Sequence, residues 1–483
     1  MSPIRKFLVL VLFVLAVPVL AQDDNRFELK FGKDLPFRGG RVTIDHGFGQ
    51  LLVRTHAGSD VQVRATIRSS DEDIGKQIHI ITSSEAGGVT VRTEYPDIHV
   101  RGHLSYSVDM TVTLPANAPL TARNRFGNID VRGLQVASSI ENKQGSIKFA
   151  DGRGAQSIAN SFGAVEVEGN RGNLTVSNSN GSVAVRGIDG VLNVTNRFGS
   201  VEVADVKNAA TITNSNGSIE AIDIGGALKA TNAFGSVNAS SIAGPADITT
   251  SNARVELSNV TAGAIVRNSF GRVAATTIRG NLTVDGQNSK VDASGVTGDA
   301  KIDTAFGGVT LRDIGGMASI TSSNGNIKVS DVGGALDADA RFGSVVAERV
   351  RGAAKVDSAN GSVTLSDIGA GAQVKATFGS VFVDGIAGAV TVANANGAIA
   401  VSGLRGSGCQ PVSLATTFSS IKLGLPARAA YDVNARTSFG RIQTDLPVQA
   451  RTVGESSLVG TIGPGGCKMD LVNANGNITI ERE

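Results

Sequence analysis

The chain has 483 residues, with 45 Lys and Arg against 43 Asp and Glu, 60 Gly, 18 Phe, two Cys and no Trp. Its 41 % apolar content is enough to bury a core, and high Gly without a Gly-X-Y period excludes collagen. Two cysteines exclude a disulfide-dense scaffold and a multi-cysteine zinc protein, and balanced charge with no polybasic run excludes an electrostatic footprint for nucleic acid or anionic lipid.

Arg5 and Lys6 precede an apolar run from Phe7 to Val19, and Val19-Leu20-Ala21 then places a small residue ahead of Gln22. This is the pattern of a secretory signal peptide over residues 1–21, too short for a comfortable membrane span; a retained N-terminal anchor is the competing reading. No Cys follows the cleavage point, which disfavours a lipid anchor. The mature chain is expected to be exported to the periplasm, envelope or medium, with no transmembrane segment.

Residues 22–125 read as a β-rich N-terminal cap. Val42–Ile44, Leu51–Arg54, Val61–Ile67, Gln77–Thr82, Val89–Thr93 and Ser105–Leu114 alternate as strands, with a polar loop at Ser69–Glu72. Phe48-Gly49 followed by Leu51 and Val53 looks like one early coil of what comes next. All five histidines lie here: His46, His56, His79, His99 and His103. The four-residue spacing of His99 and His103 suits a zinc site on a helix, but the context is a loop entering a strand, so scattered surface histidines and no metal site are expected.

From residue 126 to 406 the sequence keeps an 18-residue period. Phe-Gly recurs at Phe126, Phe162, Phe198, Phe234, Phe270, Phe306, Phe342 and Phe378, and midway fall Gln144, Asn180, Asn216, Asn252, Asn288, Asn324, Asn360 and Asn396. Counting each unit from its Phe or Asn as position 0, position 3 is Val or Ile in all sixteen units, and positions 5, 8, 12 and 14 are mostly apolar. Alternation at 3 and 5, and again at 12 and 14, is that of strands with one buried face. Gly fills position 1 in fourteen units and position 10 in twelve, where tight corners need left-handed backbone. A unit this short cannot close a core alone and must stack on its neighbours. The fold class is therefore all-β, a parallel β-solenoid of about sixteen coils and roughly 75 Å. Cross-section and handedness stay open.

The repeated residues carry structural readings. Phe at position 0 shares the parity of inward position 14, which makes the Phe column a core ladder alternating large with small; an exposed aromatic platform for sugars is the alternative. Asn at position 16 (Asn160, Asn178, Asn196, Asn214, Asn232) suits amides bonded to one another along the stack. Asp at position 7 (Asp205, Asp223, Asp313, Asp331, Asp367) is read as bracing a turn through its own backbone, calcium being the alternative without its nonapeptide pattern. Outward Thr211 and Thr213 suggest an ice-binding face, but Lys229, Asp247 and Lys301 interrupt it, so that reading fails.

Residues 407–483 read as a degenerate C-terminal cap. The register slips by four residues after Gly406, so that Phe418 arrives late, while Phe439-Gly440 and Asn475-Gly476 keep the vocabulary. Cys409 and Cys467 both fall here. In an oxidising compartment they are expected to pair, stabilising by roughly 4 kcal/mol on the chain-entropy model; two free buried thiols are the alternative.

The flanks carry a resemblance. Leu104 to Ala122, with Tyr106-Ser107-Val108, Val112 and Leu114-Pro115-Ala116, leads into Asn124-Arg125-Phe126-Gly127-Asn128-Ile129. Ser420-Ile421-Lys422-Leu423-Gly424-Leu425-Pro426, Ser438-Phe439-Gly440-Arg441-Ile442 and Asn473 to Ile480 close the chain. This resembles the bacterial β-strand-repeat "putative adhesin" family, a domain of unknown function found in exported and envelope proteins. The resemblance implies an extracytoplasmic solenoid and brings no catalytic residues with it.

Sixteen coils without an inserted residue leave no loops from which to build a catalytic cleft, and no Ser/His/Asp set, His-Glu-x-x-His or phosphate-cradling loop occurs. The expected function is non-enzymatic and without cofactor: a rod presenting an extended surface to a cell-surface, wall-polymer or protein partner. A structural spacer or self-assembling envelope element, and a carbohydrate-active β-helix enzyme, are the alternatives.

Overall fold

The structure, a computed structural model, describes residues 27–97, 103–405 and 408–483; the leader reading at 1–21 and His99 lie outside the described residues. Each 18-residue unit supplies two strands, for example Leu174–Asn180 and Val183–Ile188. Each strand pairs in parallel with its equivalent one unit on, Leu174 with Leu192 and Val183 with Val201. A parallel β-solenoid results, and its register holds without a slip from Leu120 to Leu404.

The core is the set of inward positions. In one coil Val183, Val185, Ile188, Leu192 and Val194 are each at most 2 % exposed. Burying each such side chain is worth roughly 1.5–3 kcal/mol. The inward set 3, 5, 8 breaks strand parity, and the cause is position 7. In all sixteen units that residue lies in left-handed backbone, with φ between +54° and +86°. The backbone there rotates, and position 8 turns inward in place of position 7.

The Asp residues at position 7 (Asp205, Asp223, Asp313, Asp331, Asp367) adopt the left-handed conformation themselves, which Asp and Gly tolerate best, so the turn they hold is one of their own backbone. One expectation is corrected. At position 10, glycines such as Gly226 and Gly244 are not left-handed. They are needed because coils approach closely, a Cβ at Gly226 lying 2.6 Å from the amide nitrogen of Ala209. Position 1 has both constraints: Gly199 has φ +115°, and its Cβ would overlap the Gly181 carbonyl of the preceding coil.

The N-terminal region closes one end. Arg41–Phe48 and Leu51–His56 form an early coil, in register with Leu120–Phe126 and Ile129–Arg132. Beyond it, Gly88–Glu94 and Tyr106–Pro115 pair in parallel on that coil. Antiparallel strands Asp60–Ser69, Phe27–Pro36 and His79–Glu85 then finish the edges. The first of these strands in the chain, Phe27–Pro36, escaped the sequence reading. So did the helix Glu72–Gln77, capped by Asp71, whose side chain accepts from the Ile74 amide.

The C-terminal end reverses chain order. Val412–Phe418 and Ile421–Leu425 stack on the last regular coil, Asn396 facing Phe418. The next layer is not the next segment of sequence. The final strands Cys467–Asn475 and Ile478–Arg482 occupy it, and Tyr431–Phe439 with Ile442–Thr444 lie beyond them. A hairpin of Val448–Gly454 and Ser457–Ile462 borders Tyr431–Phe439. Cys409 and Cys467 are joined in a disulfide across 58 residues of sequence, tying the inserted strand to the segment before it.

Candidate functional site

The Phe column is not core. Phe126, Phe162, Phe198, Phe234, Phe270, Phe306, Phe342 and Phe378 are all 40–55 % exposed. In much of the rod a buried amide marks the corner two residues earlier. Asn196, buried at position 16, donates from Nδ2 to the carbonyls of Gly181 (3.2 Å) and Gly199 (3.1 Å), the corner glycines of the preceding coil and its own. With the amide filling the inside of the corner, the parallel ladder skips position 17 and the following Phe projects outside. Asn160, Asn178, Asn214 and Asn232 repeat this arrangement. The ladder is therefore amide to backbone rather than amide to amide, and these Oδ1 atoms accept nothing from the protein. From Thr304 to Ala376 the position holds Thr, Ser or Ala, yet the Phe residues stay outside.

The exposed column thus alternates aromatic ring and amide. Phe198 faces Asn180 on one side and Asn216 on the other. Asn180, Asn216 and Asn360 donate to the backbone carbonyls of Ser161, Arg197 and Arg341 at 3.3–3.4 Å. The alternation survives the reversed C-terminal order, since Asn396 faces Phe418, Phe418 faces Asn475 and Asn475 faces Phe439. Phe418 is 53 % and Phe439 76 % exposed. From Phe126 to Phe439 the ridge has eighteen strand steps, roughly 85 Å at the usual strand spacing. At the other end it closes. Phe48 stacks on Phe126 with ring centres 4.8 Å apart, and Tyr95 and Tyr106 meet Phe48 edge-on.

The columns beside the ridge are small and hydroxylic, with Ser161, Ser179 and Ser215 before it and Ser182, Ser200 and Ser218 after it. Across positions 17, 0, 1 and 2 of the sixteen units there is no Asp or Glu, against six Lys or Arg, and Arg125 stands just before the first unit. Arg254, Arg272 and Lys290 are paired with the carboxylates of Glu256 and Asp292. Arg197 lies over the Phe198 ring, 5.4 Å from its centre.

Elsewhere, charge pairs recur. One surface groove, about 700 Å³, is lined by Arg312, Asp331, Arg349 and Asp367. Arg349 grips Asp331 at 2.6 and 2.9 Å, an ion pair that holds the Asp331 carboxyl below its usual range, and Arg405 meets Asp367 at 2.7 Å. Among the described residues no three His, Cys, Asp or Glu converge as a metal site would require, and no helix is long and apolar enough to cross a membrane. His56 bonds the Asp60 carbonyl at 2.8 Å. His46 is buried in the ladder position of the early coil, opposite Asn124, where its ring nitrogens find no hydrogen bond of good geometry. Burial pushes its imidazole down to about 4, against the opposing pull of the Val108 backbone, the Asp109 and Asp45 carboxylates and the Gly49 backbone.

With this geometry, the chain can be set beside known proteins. Residues 336–481 match the family model described as Toastrack DUF4097. The matched stretch contains both the last regular coils and the C-terminal layers whose order is reversed. No curated protein matches the chain. Among solved structures, a "putative cell adhesion protein" from Clostridium sporogenes is similar at 10 % identity and a TM-score of 0.19, over 59 % of this chain and 99 % of that one. A "Putative lipid binding protein" from Parabacteroides distasonis is similar at 12 % identity and a TM-score of 0.23, over 57 % of this chain and 96 % of that one.

Proposed function

We propose that this chain is a non-catalytic rod that works outside the cytoplasm, at the cell envelope or beyond it, and binds an extended partner along its Phe/Asn ridge. One observation carries the reading: ten Phe side chains, each 40–76 % exposed, stand in a single column of an otherwise well-packed solenoid. Soluble proteins scatter exposed apolar residues singly, whereas here they recur in one file at every second coil, an ordering that marks an interaction surface. Covering the open half of each ring is worth about 1 kcal/mol. One site is weak, and the whole column gives avidity to a partner long enough to follow it. The leader-like residues 1–21 and the disulfide fit an oxidising, extracytoplasmic setting.

The test uses the immobilised full-length mature chain and a variant with Phe198, Phe234, Phe270 and Phe306 changed to Ser. The half-exposed rings contribute little to the core, so the variant is expected to keep its circular dichroism spectrum. Wild type should retain cell-envelope material that the variant releases. Equal retention by both would remove the ridge from the function.

A further inference from the structure

Resting on that reading, we infer that the ridge partner is an extended β-1,4-linked polysaccharide, bound with one disaccharide to every two coils. The argument begins with spacing. Strands stack about 4.8 Å apart, so alternating Phe with Asn places one ring every ~9.6 Å. In an extended β-1,4-linked glycan each sugar is flipped relative to the last, so the chemical repeat is the disaccharide, and its length is close to that interval. A polymer lying along the ridge therefore meets a ring at the same sugar of every disaccharide and an amide at the sugar between. The eight regular Phe positions are separated by whole coils without insertion, so the ladder keeps one interval throughout, and a glycan repeat close to that interval stays in step with it over a few disaccharides at a time.

The chemistry agrees with the spacing. A pyranose has an apolar face of axial C–H groups, suited to an aromatic ring, and a rim of hydroxyls or acetamido groups, suited to amides and serines. The ridge offers both in alternation, Phe198 then Asn216 then Phe234, between columns of Ser. An apolar protein groove would have no use for the amides, and a nucleic acid would want a dense cationic track, whereas this chain is close to neutral. The absence of carboxylates from the ridge and its flanks, in a chain with 43 of them, means that a glycan bearing acidic substituents is not repelled. Arg125, Arg197 and Arg341, each immediately before a ridge Phe, stand where such substituents would pass.

Co-sedimentation of the full mature chain with insoluble chitin, cellulose and peptidoglycan sacculi tests this, with β-1,3-glucan and starch as controls. The first two are neutral and the sacculi carry carboxylates, so the arms separate neutral from acidic ligands. Binding to at least one β-1,4-linked polymer and to neither control is expected. Two deletions test the spacing. Removing residues 216–251 takes out one Asn and one Phe coil and keeps the alternation. Removing residues 234–251 takes out one Phe coil and shifts the two halves of the ladder by half a disaccharide. The longer deletion should bind within about two-fold of wild type and the shorter one at least ten-fold more weakly. The four-fold Phe→Ser variant should also lose at least ten-fold, which keeps the test alive if a deletion fails to fold. Retention of no β-1,4-linked polymer, or equal binding by the two deletions, overturns the inference. If envelope capture still depends on the Phe residues while no glycan binds, the ligand class is wrong and the binding ridge stands. A dimer in light scattering that the Phe→Ser variant abolishes, again without glycan binding, would make the ridge an interface between copies and overturn the inference as well.

Discussion

Two regions of the solenoid build the same surface by different routes. Between Phe126 and Asn396 each coil lies on its neighbour in sequence, and the Phe/Asn alternation follows from the period. Beyond Leu404 the period fails, the last strands of the chain slip in beneath an earlier segment, and the spatial order becomes Phe418, Asn475, Phe439. The alternation continues regardless. What stays constant is the residue type at each level of the stack, not the interval along the chain. Surface and repeat length are thus separable, and the surface is the one kept.

The largest break in this comparison should come from the disulfide. Cys467 opens the inserted strand and is anchored to Cys409, so the bond secures the layer that is out of sequence order. Closing a loop of 58 residues stabilises by about 4 kcal/mol on the chain-entropy model. Cys467→Ser, or reduction, should lower the unfolding free energy of the C-terminal layers by up to that amount while the regular coils keep theirs. Hydrogen exchange with and without reductant reads it, with faster exchange expected in residues 431–483 and little change in 126–396. Uniform acceleration along the rod would show that the end is not a separate unit.

The solenoid itself was legible in the sequence because its cause is local and repeated. Position 3 is always Val or Ile, and nothing but stacking can bury sixteen such faces. Strand parity from position 14 misled at Phe126 and its equivalents, because the ladder skips position 17 and parity does not carry across the skip. The signal was present in the small hydrophilic residues beside Phe and in the Asn two places before it, a side chain that a buried Phe would have stranded without a partner. The reversed layers were not legible. The segments Tyr431–Phe439 and Cys467–Asn475 carry the same motif, and their order in the stack depends on pairing that no local pattern records. Thr277 and Arg349 hid the left-handed corner for a similar reason, since the neighbouring coils impose a backbone that their own preferences oppose.

At the opposite end the comparison can be sharpened by acid. His46 occupies the place that Asn124 and Asn142 hold in the next coils, buried and without a hydrogen bond of good geometry. Its folded imidazole is pushed down to about 4 from 6.5, so the unfolded chain takes the proton first. The stability tied to this group is fully present above pH 6.5 and is drawn down as the pH falls towards 4. On the scale of 1.36 kcal/mol per pH unit the loss reaches about 3 kcal/mol. Thermal unfolding of the N-terminal region from pH 7 to 4 should show it. His46→Asn should flatten the profile over that window, and an unchanged profile would assign the acid sensitivity elsewhere.

The smallest expected effect lies inside the regular stack, at a coil that departs from the pattern twice, as the coil of Thr250 and Ala253 also does. Gly286 stands where Asn268 stands one coil earlier, and Ser289 replaces the usual corner glycine. Ser289 is fully buried and donates from Oγ to the Asn268 carbonyl at 3.0 Å, and a Cβ at Gly286 would come within 3.0 Å of the Ser289 Cβ. The serine thus fills the room that a missing Asn leaves. Gly286→Asn alone overfills the corner and should cost about 1–3 kcal/mol. Ser289→Gly alone leaves the space unfilled and the carbonyl without its donor, at about 1 kcal/mol. The double variant restores the pattern of the other coils and should recover most of both losses. The coupling from a double-mutant cycle in denaturant is then 0.5–3 kcal/mol, about the range found for residues in contact. Additive losses would mean that the two departures are independent, and that this corner, unlike its neighbours, tolerates either filling.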